Sequence, residues 1–220
     1  MYITLIFLGV IMATIIGWLL RQTLNSQPWV SEAADDAVSG TSMDTSTKAV
    51  ALMTFLAVAT SVFGLFISAY TIRMEGPDWR PLAEPTLLWA NSAMLVLASI
   101  VYHWTRNAAV KGNMEQVKPG LTVAGALTIL FLLGQIVAWR QLIAAGYYVG
   151  LNPANAFFYL LTAVHGLHML GGLWVWAKST INVWTGADSD SVRLSIELCT
   201  VYWHFLLLVW VVLFGMLLST

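Results

Sequence analysis

Residues 157–210 read FFYLLTAVHGLHMLGGLWVWAKSTINVWTGADSDSVRLSIELCTVYWHFLLLVW, two apolar runs on either side of a polar loop. A helix needs about 20 residues, at ~1.5 Å rise each, to cross a hydrocarbon core of ~30 Å. Each run has that length and is read as a membrane span. Four ionisable residues lie within the runs: His165, His168, Glu197 and His204. A charged group at the centre of a span costs about 2.5–3.5 kcal/mol, so such residues turn toward protein and find partners. His165 and His168 are three residues apart and His204 lies seven after Glu197, so each pair shares one helical face. The spans run in opposite directions, and His165 and His204 each fall about 15 Å in from the start. In that register the two imidazoles can meet near mid-membrane.

Composition agrees with a membrane protein. The 220 residues are 59% hydrophobic and 10% charged, with mean hydropathy +0.76, against about 25% charged in soluble domains. A net charge of −1 with no basic run argues against nucleic-acid binding. The single cysteine, Cys199, lies in an apolar span. It offers no disulfide framework or thiolate metal site and is read as a buried, inert thiol.

Four further apolar runs complete an all-α, polytopic bundle of six transmembrane helices. Tyr2 to Leu20 lacks a basic leader and is followed directly by Arg21, so it is read as a retained span rather than a cleaved signal. Residues 1–21 thus form an N-terminal transmembrane helix, 22–48 a polar linker and 49–220 a five-helix core. Within the core, spans are expected near Val50–Ile72, Thr86–Trp104, from Pro119-Gly120 to Trp139, Pro153–Ala177 and Ser195–Leu218. Asn152-Pro153 supplies a helix start, with the asparagine as cap and the proline in the first turn. Arg140 closes the span before it and can snorkel to the headgroups.

Lysines and arginines fall unevenly on alternate sides. Arg21, Lys48, Arg106, Lys111, Lys118, Lys178 and Arg193 share one side, whereas Arg73, Arg80 and Arg140 share the other. The positive-inside rule places the first group in the cytoplasm and both termini outside. Trp18, Trp79, Trp104, Trp139, Trp176 and Trp184 fall near span ends as an interfacial belt, and His103 beside Trp104 is read as interfacial too. Trp89, Trp203 and Trp210 read as deeper packing residues. Gly64, Ala90, Ser92, Gly134, Gly166, Gly171 and Gly172 are candidates for close helix contact.

Three histidines and a carboxylate could ligate iron, copper or zinc. The alternative, which the pattern favours, is an interhelical polar network locking the last two helices. A bis-imidazole haem needs facing histidines at matched depth, and the first, second and fourth spans contain no histidine. Transport is disfavoured because the first three spans carry no Asp, Glu, Lys or Arg in their interiors and no half of the chain repeats the other.

FFYLLTAVHGLHMLGG (157–172), IELCTVYWHF (196–205) and VWVVLF (209–214) closely resemble the last two helices of subunit III of haem-copper oxidases, of the cytochrome c oxidase type. TFLAVATSVFGLFISAY (54–70), Asp78-Trp79-Arg80-Pro81-Leu82, Pro85 and Asn91-Ser92 extend the resemblance upstream, so that it runs from about Leu52 to the C-terminus. It implies a non-catalytic subunit of a proton-pumping respiratory oxidase in the bacterial plasma membrane. Such a subunit binds no haem or copper itself. It packs on subunit I, which carries those cofactors, within a complex that includes subunit II and cytochrome c. It also holds phospholipid and sustains turnover and proton uptake. His165, His168, Glu197, Trp203 and His204 carry over as structural or lipid-contacting positions, with no catalytic, cofactor or metal role. A quinol oxidase subunit III is the alternative, followed by a haem-binding membrane anchor or a small transporter. Two family acids are absent: Val58, Ala59 and Thr60 stand where a buried glutamate is common, and Leu207 where an aspartate is.

Overall fold

The computed structural model describes residues 47–82, 85–186 and 189–219. Over these the chain forms α1 (Thr47–Arg73), α2 (Leu87–Val110), α3 (Met114–Ala144), α4 (Pro153–Trp184) and α5 (Ser189–Leu218). All five are long and apolar enough to cross a membrane. The first expected span, residues 2–20, and the linker as far as residue 46 lie outside the described residues.

Several helices overrun their expected ends. α3 begins at Met114 rather than after Pro119-Gly120, because Asn113 caps it by accepting from the Gln116 amide at 3.3 Å. Pro119 is then inside the helix, close enough to its start that one lost backbone bond is tolerated. α4 runs to Trp184 and α5 starts at Ser189, about two turns beyond the apolar segments. Hydropathy marks the lipid-embedded part of a helix, whereas the backbone ladder continues into water wherever the residues permit it.

α2 to α5 form a four-helix ring in which each helix packs on two neighbours: α2 on α3 and α5, and α4 on α3 and α5. Among the buried positions of α5, Val192, Ile196, Cys199, Trp203, Leu206, Trp210, Leu213 and Leu217 alternate by four and three residues. α2 repeats the pattern with Leu88, Asn91, Leu95, Ala98, Tyr102, Thr105 and Ala109. A 3.5-residue repeat is the seam of left-handed, knobs-into-holes packing. Lipid tails are as apolar as leucine, so the ring is held by fit and by interhelical hydrogen bonds rather than by exclusion of water.

The glycines show where that fit is closest. Gly134 lies against Asn91, Gly120 against Thr105, Gly125 against Trp176, and Gly172 against Tyr202 and Trp203. Gly134 and Gly172 match the sequence expectation, whereas Gly171 faces open space and Ala90 is exposed. Trp89, expected to be deep, is the third residue of α2 and is 60% exposed, its ring edge-on to Phe214 at 5.0 Å. Cys199 is buried as expected, 3.8 Å from Ser179 Oγ.

α1 is a separate unit as far as Thr71. Its Thr54, Thr60 and Ser61 hydroxyls each donate to the carbonyl four residues back, which satisfies them without a partner helix.

The chain leaving α1 is pinned at two points. Arg73 pairs with Asp78 across the turn. The guanidinium holds the Asp78 carboxyl below its ordinary range, so the pair is complete at neutral pH and is lost as pH falls through that depressed value. Further along, the Arg80 amide donates to Asn152 Oδ1 at 3.3 Å and Asn152 Nδ2 donates to the Arg80 carbonyl at 2.6 Å. Asn152 Oδ1 also accepts from the Ala154 amide at 3.1 Å, so the expected cap of α4 also clamps the α1–α2 connection. Asn152→Ala should therefore cost about 1–2 kcal/mol. It should speed hydrogen exchange at Ala154 and Arg80 together; faster exchange at Ala154 alone would show that the clamp contributes nothing.

Candidate functional site

The five residues singled out from sequence occupy separate surroundings. Trp203, fully buried on α5, reaches across the ring to α3, where its indole Nε1 donates to Thr128 Oγ1 at 3.0 Å. The Thr128 hydroxyl donates in turn to the Ala124 carbonyl at 2.8 Å. Tyr102 of α2 packs on the same indole, with ring centroids 4.4 Å apart. Gly172 of α4 leaves room for it, since a Cβ there would lie 3.0 Å from Trp203 and 2.6 Å from Tyr202. Trp203 thus touches all three other helices of the ring.

His165 is fully buried one level away, beside Trp210 at 5.3 Å and edge-on to Phe131 at 5.9 Å. Trp210 Nε1 donates to Ser92 Oγ at 2.8 Å, and Phe131 meets the Trp210 ring edge-on at 5.0 Å. His168 is half-buried, with Nδ1 2.8 Å from the Val164 carbonyl of its own helix. Its backbone carbonyl accepts from Tyr202 OH at 2.8 Å, which ties α4 to α5.

His204 does not meet His165. It sits six residues before Trp210, about 9 Å along α5, and is exposed on the opposite flank. There its Nδ1 is hydrogen-bonded to Ser99 Oγ of α2 at 3.1 Å, and its ring lies 5.9 Å from that of His103. The expectation counted depth from the start of each apolar run, and those starts lie at opposite membrane surfaces; equal counts fix neither the relative register of two helices nor the face each histidine takes. His103, expected at the interface, lies two turns before the end of α2. Glu197 does not join the histidines either: it is partly exposed and accepts from Arg193 Nε at 3.3 Å, one turn away.

Among the described residues, no group of three or more His, Cys, Asp or Glu is placed to hold a metal ion. Trp203, Tyr202 and His204 join helices. Further members of the polar network were not anticipated from sequence: Thr128, Ser99, and the buried Asn91 and Gln135, whose amides are linked from Nδ2 to Oε1 at 3.4 Å. Their signal was register. Asn91, Thr128 and Gln135 fall on the seven-residue seams of α2 and α3, where a polar side chain must face protein.

Comparison with known proteins agrees with this architecture. The family model for Cytochrome c oxidase subunit III matches residues 10–218. A probable cytochrome c oxidase subunit 3 of Mycobacterium leprae is 31% identical, over 69% of this chain and 76% of its own length. Cytochrome c oxidase subunit 3 of Synechocystis is 30% identical, over 73% and 70% respectively. Cytochrome bo(3) ubiquinol oxidase subunit 3 of Pseudomonas aeruginosa is 26% identical, over 74% and 78%. The match spans all five described helices, and with it the chain belongs to the cytochrome c oxidase subunit III family.

Proposed function

We propose that this chain is the non-catalytic subunit III of a cytochrome c oxidase, packed on the haem- and copper-bearing subunit I, alongside subunit II, in a bacterial plasma membrane. One observation carries the reading beyond family membership. Trp203, Tyr202 and His204 are engaged in joining helices, to Thr128, the His168 carbonyl and Ser99, while His168 and Glu197 are held one turn away on their own helices. The proposal includes six spans with both termini outside, residues 1–21 as the first span and 49–220 as the core. Phospholipid binding is supported by the aromatic and basic pairs near the helix ends. Lys118 Nζ lies 5.4 Å above Trp184 and Lys178 Nζ 5.2 Å from the Trp174 ring, a pairing suited to the headgroup layer.

Purification through a tag on this chain tests the proposal. The expected product is a complex whose haem spectrum belongs to another subunit and remains unchanged in His204→Ala. Haem retained by this chain after separation, or loss of haem from an assembled His204→Ala complex, would overturn it. The relative from Pseudomonas aeruginosa, named as a quinol oxidase subunit, supports a second reading. That reading is distinguished by whether the purified complex oxidises reduced cytochrome c or ubiquinol.

A further inference from the structure

The outer seam between α2 and α5 carries polar groups where a lipid-facing surface should have none. Ser99, His103 and Arg106 follow one another by four and three residues on one face of α2. His204 stands against Ser99 at 3.1 Å. Both His103 and His204 are exposed. His204 lies seven residues, about 10 Å, further along α5 than Glu197, and no charged residue follows it to Leu218. A phospholipid phosphate stays at the edge of the hydrocarbon layer and does not reach that depth. An imidazole facing acyl chains there would be costly.

The seam also lacks an acid to match its donors. Glu197 is engaged by Arg193, and no other apolar run of the sequence contains Asp or Glu. Further along the same seam, Trp89, Val96, Leu207, Val211, Phe214 and Gly215 line an apolar groove of about 210 Å³.

We infer that this seam is the docking face for a transmembrane helix of the haem-bearing subunit, one that presents a carboxylate to His103 and His204 and seats apolar side chains in the groove. The assignment rests on the function proposed above and adds the face and the chemistry of the contact. A helix from a second copy of this chain would bring no such acid, and neither would residues 2–20.

The test uses the whole complex, with a photo-crosslinking amino acid placed at Val96 or Leu207, and at Leu133 or Leu167 as exposed controls on α3 and α4. Crosslinks from Val96 and Leu207 to the haem-bearing subunit are expected, with lipid adducts from the controls. His204→Ala should raise the fraction of this chain lost on detergent washing by about tenfold at unchanged helix content, with recovery in His204→Gln. If the complex assembles but Val96 and Leu207 crosslink only to lipid, to a second copy or to residues 1–46, this assignment fails while the function stands. If no haem protein co-purifies, the functional reading itself fails, and the docking face with it.

Discussion

Trp203→Ala is expected to lower the stability of the helical bundle by about 3 kcal/mol. In soluble cores, Trp→Ala costs about 3–5 kcal/mol, part from transfer of apolar surface and part from the cavity left behind. In a bilayer the transfer part shrinks, because lipid tails solvate apolar surface, but the lost contacts remain. Those contacts are the Tyr102 ring at 4.4 Å, the edge of Tyr202 at 5.9 Å and the close approach at Gly172. Thr128 keeps the Ala124 carbonyl as acceptor for its own hydroxyl, so the loss is one of packing and one hydrogen bond, without a stranded donor. Thermal denaturation of the purified protein in detergent measures it. Trp203→Phe, which retains an aromatic ring, should recover more than half of the loss. Equal midpoints for Trp203→Ala and wild type would show that the ring is not centred on this side chain.

Gly125→Leu is expected to act in the opposite sense, by overfilling, and to part α3 from α4. A Cβ at position 125 would lie 2.0 Å from Cζ2 of Trp176. That indole cannot easily swing aside, because its Nε1 donates to the Leu121 carbonyl at 2.9 Å. Overpacking of a well-fitted core costs roughly 1–3 kcal/mol, and more when the neighbour is fixed. Gly171→Leu is the control: nothing lies within 4 Å of its Cβ position, and its effect should stay within about 0.5 kcal/mol. A lowered melting temperature in both variants alike would point to glycine's backbone rather than to the space it leaves. A lowered value at position 125 alone, restored by Trp176→Ala, would locate the clash.

The five described spans were legible because membrane insertion depends on length and apolar content, and both can be counted along the chain. The inner face of each helix was much less so. In a soluble bundle the buried stripe is the apolar one. Here Leu133, Leu167 and Val211 face outward, while Asn91, Thr128 and Gln135 face inward. Hydropathy therefore carries no contrast between the two faces. The contrast lies in residue size and hydrogen-bonding capacity, which is why Gly134 and Gly172 were anticipated and Gly125, beside a tryptophan from another helix, was not.

The histidines show the same limit from the other direction. Their presence in the spans drew attention to α4 and α5, but it is His204 that bonds to another helix by its side chain, while His168 bonds within its own. Which of them meet depends on helix register and face: His165 lies beside Trp210, six residues beyond His204 on α5, and His204 lies beside Ser99. Glu197 was drawn into the group by its neighbours in the sequence, yet it belongs to a local pair with Arg193.

The overrun of the helices bears on how the protein accommodates its membrane. At ~1.5 Å per residue, α3, α4 and α5 measure roughly 45–48 Å, whereas α2 measures about 36 Å. The surplus of α4 and α5 lies mainly where α4 ends and α5 begins, the end that also carries Lys118 and Trp184. A thicker bilayer can climb those extra turns without straining a hydrogen bond. At the far end the overrun is smaller: α3 continues about one turn past Trp139, to Ala144. Adjustment to hydrophobic mismatch is thus uneven, and annular lipids should be distorted more in one leaflet than in the other.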